Sequence, residues 1–534
     1  MRDVVIVGAG HNALVAACYL AREGLDVEVV ERREVVGGAV STVERFPGYR
    51  MDVGSSAHIM VRHTGIIEDL DLATVGLRYH DLDPWGFAPF EDGNLVFHVD
   101  LDRTCDTIAE VCGQRDAHAY HAFVTDWSAR NERVFEAFQA PPSGRHLGRN
   151  LWGIGRNSGI DGLELARQFL TTGDQLLDEH FTDERLKTAL AWMGAQSGPP
   201  SHEVATADLV GWNTMMHRRP PGHPHGGSGQ LSVALARRFA SYGGTLTLGT
   251  PVQAILTHDG RPTGVQTAEG TRVAGRTVLA GCHIHTTLDL LGDAVPDGAA
   301  LRRRIRVGNG IGMVVRLATS ALPAYPGGTG EEHRAMQLIA PSRQFLRAAH
   351  GDFVAGRAPA QPAALAMTFS AFDDAIAPPG KHNVTVWGQW HPYELSTGED
   401  WDTIAEREGS KLVDAVDAVA PGFAASVEHM YVQTPLELER ELGLLRGNVM
   451  HVEMGLDAMF AWRPAPSISG YRGPLPGLYL AGASTHPGGG VFGASGRSAA
   501  RTILADLAEP GPAGRVVRGF GAPLRAVRAR RDAQ

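Results

Sequence analysis

The sequence is poor in cysteine and lysine and has no long apolar run. Its four cysteines are Cys18, Cys105, Cys112 and Cys282, and no two of them have CxxC spacing. This spacing excludes a dithiol redox centre and a cysteine-based zinc site, and we expect no bound metal. Only three of the 49 basic residues are lysines. No segment approaches the ~18 apolar residues that a membrane-spanning helix needs.

Charge and composition exclude further classes. The formal net charge is -10 and the pI is near 6.1, which gives no electrostatic reason to expect a nucleic-acid partner. A hydrophobic content of 43% is that of an ordinary globular protein. Met1 precedes the apolar run 4–7 so closely that no signal peptide fits. We therefore expect a cytoplasmic protein, with peripheral membrane contact left open, and at 534 residues more than one domain.

The pattern of the first thirty residues predicts a strand, a glycine turn, a helix and a second strand. The run 4–7 ends at Gly8, Gly10 follows, and Ala13 takes the third position of a GxGxx(G/A) fingerprint. Gly8 suits the tight turn, and Gly10 lets the backbone approach a pyrophosphate at the helix N-terminus. Glu31 ends the second strand, where a carboxylate bonds the adenosine ribose and disfavours NADP. NAD and FAD remain open at this point.

A second glycine pair, Gly37-Gly38, follows Glu31 and leads into a segment that ends at Gly54. On these features the chain resembles the superfamily of FAD-dependent amine oxidases and phytoene desaturases. The resemblance implies FAD as the cofactor. It implies an α/β fold with a discontinuous Rossmann-like FAD-binding domain of the glutathione-reductase type and an inserted α+β substrate domain. Further cofactor positions that it implies are Arg32, Ser55 and Ser56.

Two later glycine-rich segments fit this resemblance. The first, Gly226 to Gly229, predicts a helix through Ser241 and then a strand at Val252, whose backbone holds the adenine in the relatives. The second is an apolar strand that enters the glycine-dense turn 482–496. Backbone N–H groups in such a turn point at a polar ligand. The positions that this turn adds to the FAD site are Gly482, Ala483, Gly490, Val491 and Ala494.

The run 485–491, with 447–453 and Arg463-Pro464 before it, resembles one branch in particular. That branch holds the phytoene desaturase-like bacterial oxidoreductases and their animal relatives, the pyridine nucleotide-disulphide oxidoreductase domain-containing proteins. The resemblance covers residues 1 to about 508. The domain limits that we expect are 1–60, 205–295 and 465–508 for the FAD-binding domain, 61–204 and 296–464 for the substrate domain, and 509–534 for a solvated basic tail.

The family chemistry is hydride transfer from a substrate C–H bond to FAD, with the protein orienting the substrate and supplying a base. His486, His451, Glu453 and His58 lie in segments expected near the flavin, although each could instead be a structural, hydrogen-bonded residue. His486 and His451 are the first choices. His451 and Glu453 are expected to share one face of a strand through period-two alternation.

The reaction is predicted from what the sequence lacks. The strand that carries a flavin-adjacent lysine in amine oxidases matches residues 313–316, and no lysine lies between positions 187 and 381. The sequence therefore favours carbon–carbon desaturation, or a redox isomerisation, of an apolar or amphipathic small molecule over oxidation of an amine or amino acid. Aromatic clusters at 85–87 and 387–393 predict an apolar cavity or plain core.

Two further hypotheses about the function are compatible with the sequence. A flavin-binding scaffold protein without turnover and a nicotinamide dehydrogenase are the alternatives to a flavin desaturase. The electron acceptor is expected to be oxygen or a quinone. A homodimer is the one macromolecular assembly that we leave open.

Overall fold

The computed structural model describes residues 1–142 and 162–508, so the predicted basic tail lies outside the described residues. The strands are β1 Arg2–Val7, β2 Val27–Val30, β3 Thr42–Phe46, β4 Tyr49–Asp52, β5 Tyr79–Asp81, β6 Gly86–Phe90, β7 Gly93–Phe97, β8 Gly222–Pro224, β9 Thr245–Thr247, β10 Val252–His258, β11 Arg261–Thr267, β12 Arg272–Ala280, β13 Gly312–Thr319, β14 Met336–Ile339, β15 Ala364–Met367, β16 His382–Gln389, β17 Val427–Gln433 and β18 Leu478–Leu480.

The α-helices lie between and after these strands. They are α1 His11–Arg22, α2 Ile66–Asp69, α3 Leu101–Cys112, α4 Gln114–Gln139, α5 Gly162–Leu170, α6 Gly173–His180, α7 Glu184–Ala195, α8 Ala207–Gly211, α9 Gln230–Ser241, α10 Ile284–Leu291, α11 Gly298–Arg304, α12 Arg343–Val354, α13 Trp401–Asp417, α14 Pro435–Leu442 and α15 Ala494–Ala508. No helix of the described residues is long and apolar enough to cross a membrane.

The first sheet has the order β10-β11-β12-β1-β2-β9, with β18 paired to β12. The β18-β12-β1-β2-β9 part is parallel, whereas β10, β11 and β12 pair antiparallel. The Val4-to-Val7 run of β1 is buried throughout, as expected of a central parallel strand covered on both faces. The strand predicted at Val252 is present as β10, which turns into β11 at Asp259-Gly260 to form a β-hairpin.

Helix α1 packs closely against α15 above this sheet. A Cβ added at Gly496 of α15 would lie 1.9 Å from the carbonyl oxygen of Asn12 in α1, so the backbones touch there. This packing joins the first βαβ unit to a segment that is nearly 500 residues away in the chain. It brings the two glycine turns that precede these helices to the same edge of the sheet.

The second sheet has the order β17-β13-β16-β15-β14-β6-β7. Its strands pair antiparallel except for the parallel β14–β6 pair. Helix α13 covers one face through Leu412 and Val416, which pack with Val315 and Val386 of the sheet. On the other side, aromatic residues of α4 and α7 form a separate core with Trp85.

The two sheets draw on interleaved parts of the chain. The first takes strands from 2–30, 245–280 and 478–480, and the second takes strands from 86–97 and 312–433. The predicted fold class, a discontinuous Rossmann-like part with an inserted α+β part, is therefore confirmed. The predicted domain limits stay a prediction.

Candidate active site

A cavity of about 490 Å³ runs from the turn after β1 to an apolar region lined by α4, α7 and the 449–459 segment. Pockets of this size are typical of small-molecule and cofactor sites. Residues from every glycine segment singled out in the sequence line it, apart from Gly226–Gly229. We call the end near β1 the nucleotide end and the opposite end the apolar end.

The first glycine turn is shaped for a ligand. Gly8 has a φ of +90° and its N–H donates to the Val30 carbonyl at 2.8 Å, so the tight turn itself requires glycine. Gly10 is different, because its φ of -63° and ψ of 155° suit any residue. A Cβ at Gly10 would meet no protein atom within 4 Å. The space beside Gly10 is therefore cavity, and it fits the close approach of a pyrophosphate.

Glu31 is held in place at the end of β2. Its side chain is buried, Oε2 accepts the Ala9 N–H at 2.6 Å, and Oε1 accepts the Arg33 N–H at 2.9 Å. The carboxylate lines the cavity at the nucleotide end, so it fits the ribose-binding role that the sequence predicts. Arg33, which the sequence analysis did not single out, also lines this end and donates to the Gly38 carbonyl at 3.2 Å. Burial lowers the pKa of Arg33.

The second glycine pair meets the first turn. Gly37 has a φ of +109° and donates to the Ala9 carbonyl at 2.8 Å. A Cβ at Gly37 would lie 2.0 Å from the Val40 carbonyl oxygen, so no side chain fits there. A Cβ at Gly38 would lie 3.6 Å from the Gly10 Cα. The two motifs of the sequence thus form one backbone surface.

The C-terminal glycine turn closes the cavity from the other side. Gly482 has a φ of +100°, and its N–H donates to the Ser495 hydroxyl at 2.9 Å. A Cβ at Gly489 would lie 2.2 Å from Met450 Sδ. The turn therefore lies directly against the segment that carries Met450.

Most predicted cofactor positions line this cavity. Two do not: Ser56 receives a hydrogen bond from Arg316 at 3.3 Å, and Ala494 packs with Phe492 at the start of α15. The positions that line the cavity are Gly8, Gly10, Ala13, Glu31, Arg32, Gly37, Gly38, Ser55, Val252, Gly482, Ala483, Gly490 and Val491.

The predicted strand through His451 and Glu453 is wrong. The segment forms turns, and His451 itself has a φ of +65°. The reason is the buried Arg463, whose guanidinium takes the carbonyls of Met450 and Glu453 at 2.7 and 2.8 Å. Those carbonyls are no longer available to a strand partner. Burial lowers the pKa of Arg463 to about 9.

His451 is the predicted catalytic candidate that lines the cavity. Its ring stacks on His283 with centroids 5.1 Å apart, and the His283 Nε2–H donates to the His451 carbonyl at 2.9 Å. The His451 Nδ1 lies 3.1 Å from the Ser484 hydroxyl, which accepts the Ile284 N–H at 3.1 Å. We assign the hydroxyl proton to Nδ1, which leaves His451 Nε2–H as a donor to a ligand.

Both stacked histidines are neutral near pH 7. Burial lowers the pKa of His283 to about 4, and burial with the neighbouring His283 and Arg463 lowers that of His451 well below its usual value. His11, at the start of α1 on the cavity wall, also has its pKa lowered to about 4 by burial. The imidazoles around the cavity are therefore hydrogen-bonding groups and not cations.

The other three catalytic candidates lie away from the cavity wall. His486 is fully buried, packs against Phe138, and its Nε2–H donates to the Ala137 carbonyl at 3.0 Å. His58 is fully buried between Tyr79 and Ser228, with contacts of 2.7 and 2.8 Å. Glu453 forms an ion pair with Arg306 at 2.8 Å, and its side chain is 38% exposed.

The residues of the apolar end were not among those predicted from the sequence. Seven of the thirteen methionines line the cavity, and aromatic and leucine side chains lie among them. Nothing local in the sequence marks them, because they come from separate helices and turns; the spacing of the last three, within ten residues, is the one available signal. Methionine is flexible and polarisable, so such a wall adapts to apolar ligands. The set is Met60, Met193, Met215, Met216, Met450, Met454 and Met459, with Phe138, Leu209, Trp212 and Phe492.

Charge is confined to the nucleotide end. Among the described residues that line the cavity, Glu31 is the one carboxylate, and Arg32 and Arg33 stand beside it. Toward the apolar end the polar side chains are His451, Asn213 and a few neutral groups. A charged ligand group is therefore accommodated at the first end and an uncharged one at the second.

Comparisons with known proteins agree with this architecture. The family model described as NAD(P)-binding Rossmann-like domain matches residues 6–70. Pyridine nucleotide-disulfide oxidoreductase domain-containing protein 2 of Mus musculus is 31% identical over 95% of this chain and 94% of its own. Hydroxyneurosporene desaturase of Cereibacter sphaeroides is 28% identical over 95% of this chain and 98% of its own.

A solved structure shares the fold. Cyclohexylamine oxidase from Brevibacterium oxydans superposes with a TM-score of 0.56 at 17% identity, over 95% of this chain and all of that one. All four cysteines of this chain are free thiols, despite the word disulfide in the name of the mouse relative. The glycine cradle, the interleaved sheets and the full-length similarity lead to one conclusion. The chain belongs to the phytoene desaturase-like branch of the FAD-dependent amine oxidase and phytoene desaturase superfamily of oxidoreductases.

Proposed function

We propose that the chain binds FAD and catalyses carbon–carbon dehydrogenation, or a related redox isomerisation, of an apolar or amphipathic small molecule. The observation that carries the proposal is the continuity of the cavity. One space joins a backbone cradle for a dinucleotide to a wall of methionine and aromatic side chains. A binding module for a nucleotide alone would not need the second part.

The cradle fits FAD better than NAD. A nicotinamide dinucleotide needs the first glycine turn and Glu31, but this chain adds the Gly37-Gly38 pair and the 482–491 turn on the same space. These elements offer backbone to the far side of a longer ligand. Each of these elements packs against a neighbouring part of the cavity wall. A Cβ at Gly38 would lie 3.6 Å from the Gly10 Cα, and a Cβ at Gly489 would lie against Met450. A ligand that spans the cavity from Glu31 would contact all of them.

The chemistry that FAD supplies when bound is acceptance of a hydride from a C–H bond. The residues of the apolar end bind and orient the substrate and exclude water from the reacting bond. Neutral His451 donates a hydrogen bond from its Nε2–H to a polar group of the substrate and so helps to orient it. We propose His451 as the polar group of the site and His283 as the residue that positions it through the backbone.

Oxidation of an amine is less well supported. An ammonium group needs a carboxylate or an aromatic cage, and the one carboxylate on the described cavity wall, Glu31, is already bound by two backbone N–H groups at the nucleotide end. The strand that matches the lysine-bearing strand of amine oxidases carries Arg316, which is buried and donates to Thr385 at 2.9 Å. We retain oxygen or a quinone as the proposed acceptor, and a homodimer as a possible assembly.

The test is anaerobic reduction of the purified flavoprotein by apolar substrates. Terpenoid alkenes and carotenoid precursors should bleach the flavin absorbance, and reoxidation by oxygen or a quinone should restore it. His451→Gln should retain the flavin and slow the bleaching by roughly 10²-fold. Bleaching by amines alone would contradict the proposal. A flavin that cycles with neither class would favour the scaffold reading.

A further inference from the structure

Three side chains far apart in the sequence converge outside the cavity. His80 comes from β5, His225 follows β8, and Asp373 follows the short turn after β15. One ligand atom from each lies within 4.8 Å of the other two. His80 Nε2 and His225 Nδ1 are 3.2 Å apart although 145 residues separate them, and Asp373 Oδ1 is 3.1 Å from His225 Nδ1.

These spacings match the edge of a metal coordination tetrahedron. Ligands 2.0–2.1 Å from zinc in tetrahedral geometry are about 3.3 Å from one another. The His80–His225 and His225–Asp373 separations are close to that value, and the third pair lies within 4.8 Å. Two imidazoles and a carboxylate are also a ligand set that borderline divalent metals accept, whereas magnesium and calcium prefer oxygen alone.

Hydrogen bonds alone leave this cluster unsatisfied. If His225 Nδ1 is protonated, its single N–H proton is shared between Asp373 and His80, and if it accepts from His80, its lone pair faces the carboxylate at 3.1 Å. Neither tautomer gives both contacts a full hydrogen bond of their own. A cation bound between the three atoms removes the conflict, because each atom then presents a lone pair to it.

The carboxylate is fixed independently of the two histidines. Asp373 is fully buried, its Oδ2 accepts the Gly226 N–H at 2.7 Å, and its Oδ1 accepts the Ala375 N–H at 3.1 Å. On the inner side, the buried His223 donates from Nδ1 to the Ser56 carbonyl at 3.1 Å. Its Nε2 lies 3.3 Å from Asp373 Oδ2, so this ring packs against the inner side of the carboxylate.

The solvent side is open, since the His225 side chain is 43% exposed. An ion can therefore enter from solvent and keep a water as a further ligand.

We propose that His80, His225 and Asp373 form a binding site for a single zinc-type divalent metal ion, separate from the cofactor cavity. The cysteine spacing predicts no bound metal, and the three proposed ligands are far apart in the sequence and meet only on folding. The ion would tie the turn after β15 of the second sheet to the loop that leads into α9. Its expected role is to stabilise the junction between the two sheets.

The experiment measures zinc on the intact flavoprotein. Protein is treated with a chelator, desalted, incubated with Zn²⁺ and desalted again before metal analysis. The variants are His80→Gln and His225→Gln, and the matched control is His258→Gln, whose side chain is 79% exposed on another edge of the molecule. Wild type and the control should hold about one zinc per chain. Each ligand variant should bind at least about tenfold more weakly.

Thermal melting separates metal loss from misfolding. With chelator present, His225→Gln should melt with the wild type, and added Zn²⁺ should raise the Tm of the wild type alone. If His80→Gln does not fold, zinc binding by His225→Gln, which changes an exposed side chain, tests the site. Wild-type protein that binds no zinc, or ligand variants that bind it as tightly as the control, would overturn the site.

Discussion

The two ends of the cavity are built in different ways. The nucleotide end consists mainly of backbone, held by glycines whose positions are dictated by turns and close contacts, as at Gly8 and Gly37. The apolar end consists of side chains, with methionines drawn from separate helices and turns. A backbone cradle binds one cofactor and tolerates little change. A methionine wall adapts its shape, so substrate preference can change without disturbing the cofactor.

The largest expected effect is at Gly37, where the cradle forbids any side chain. In Gly37→Ala the new Cβ would lie 2.0 Å from the Val40 carbonyl oxygen, and we expect a loss of at least about 4 kcal/mol in the free energy of unfolding. Chemical denaturation measures it. The control is Gly24→Ala, which has a φ of +84° but nothing within 4 Å of its Cβ and should cost about 1 kcal/mol. Equal losses would contradict the account.

The next largest effect is expected at Gly10. The protein leaves room there for a side chain, but the proposed pyrophosphate of FAD would occupy the same space. Gly10→Val should fold with the stability of the wild-type apoprotein, because a Cβ there meets no protein atom within 4 Å. Flavin affinity should fall by at least about 100-fold, since the pyrophosphate can no longer approach the backbone. Equilibrium titration of the apoprotein with FAD gives the value. Unchanged FAD affinity would show that the space beside Gly10 is not the cofactor site.

At the apolar end, Met454→Glu should leave the flavin in place and impair substrate binding. The change puts a charged side chain in place of an apolar one on this wall, and a substrate that is apolar loses its contact surface there. With the terpenoid alkene that bleaches the wild-type flavin fastest as the probe, we expect the flavin bleaching rate to fall by roughly 10- to 100-fold. Met454→Leu, which conserves volume, is the control and should stay within a few-fold of wild type. Loss of flavin from Met454→Glu would show that the apolar end also contributes to cofactor binding, which would contradict the division between the two ends.

The last prediction concerns the pH dependence of stability and the part of it that a single histidine, His486, supplies. Burial holds the pKa of His11, His283 and His486 at about 4, so the unfolded chain, with ordinary values near 6.5, binds protons that the folded chain does not. Their contribution is present in full above pH 7 and is lost as the pH falls below about 6.5. Tm should therefore be flat above pH 7 and decline between pH 6.5 and 5. His486→Phe should decline less steeply, and a profile as steep as wild type would remove His486 from this explanation.

Local sequence was sufficient for the nucleotide end. Gly8, Gly10, Ala13 and Glu31 lie within one βαβ unit, whose geometry is set by strand period, turn chemistry and helix N-terminus. The resemblance then located Gly482 and Val491, which meet the first turn only through the packing of α15 on α1. The fold class followed from the same segments.

Tertiary contacts decided what the sequence could not predict. The alternation of His451 and Glu453 predicts a strand. Instead, the guanidinium of Arg463 donates to the Met450 and Glu453 carbonyls, and the segment forms turns. The methionine wall and the His80–His225 contact join residues with no common periodicity. Such long-range pairings carry no signal in a single sequence.

The most direct test of the account is the absorbance spectrum of the purified protein, with chromatography of the cofactor released on denaturation. We expect a yellow protein that releases FAD at about one molecule per chain, and a Gly10→Val variant that folds and is colourless. A colourless wild-type protein that binds NAD, or a flavin that stays bound in Gly10→Val, would contradict it.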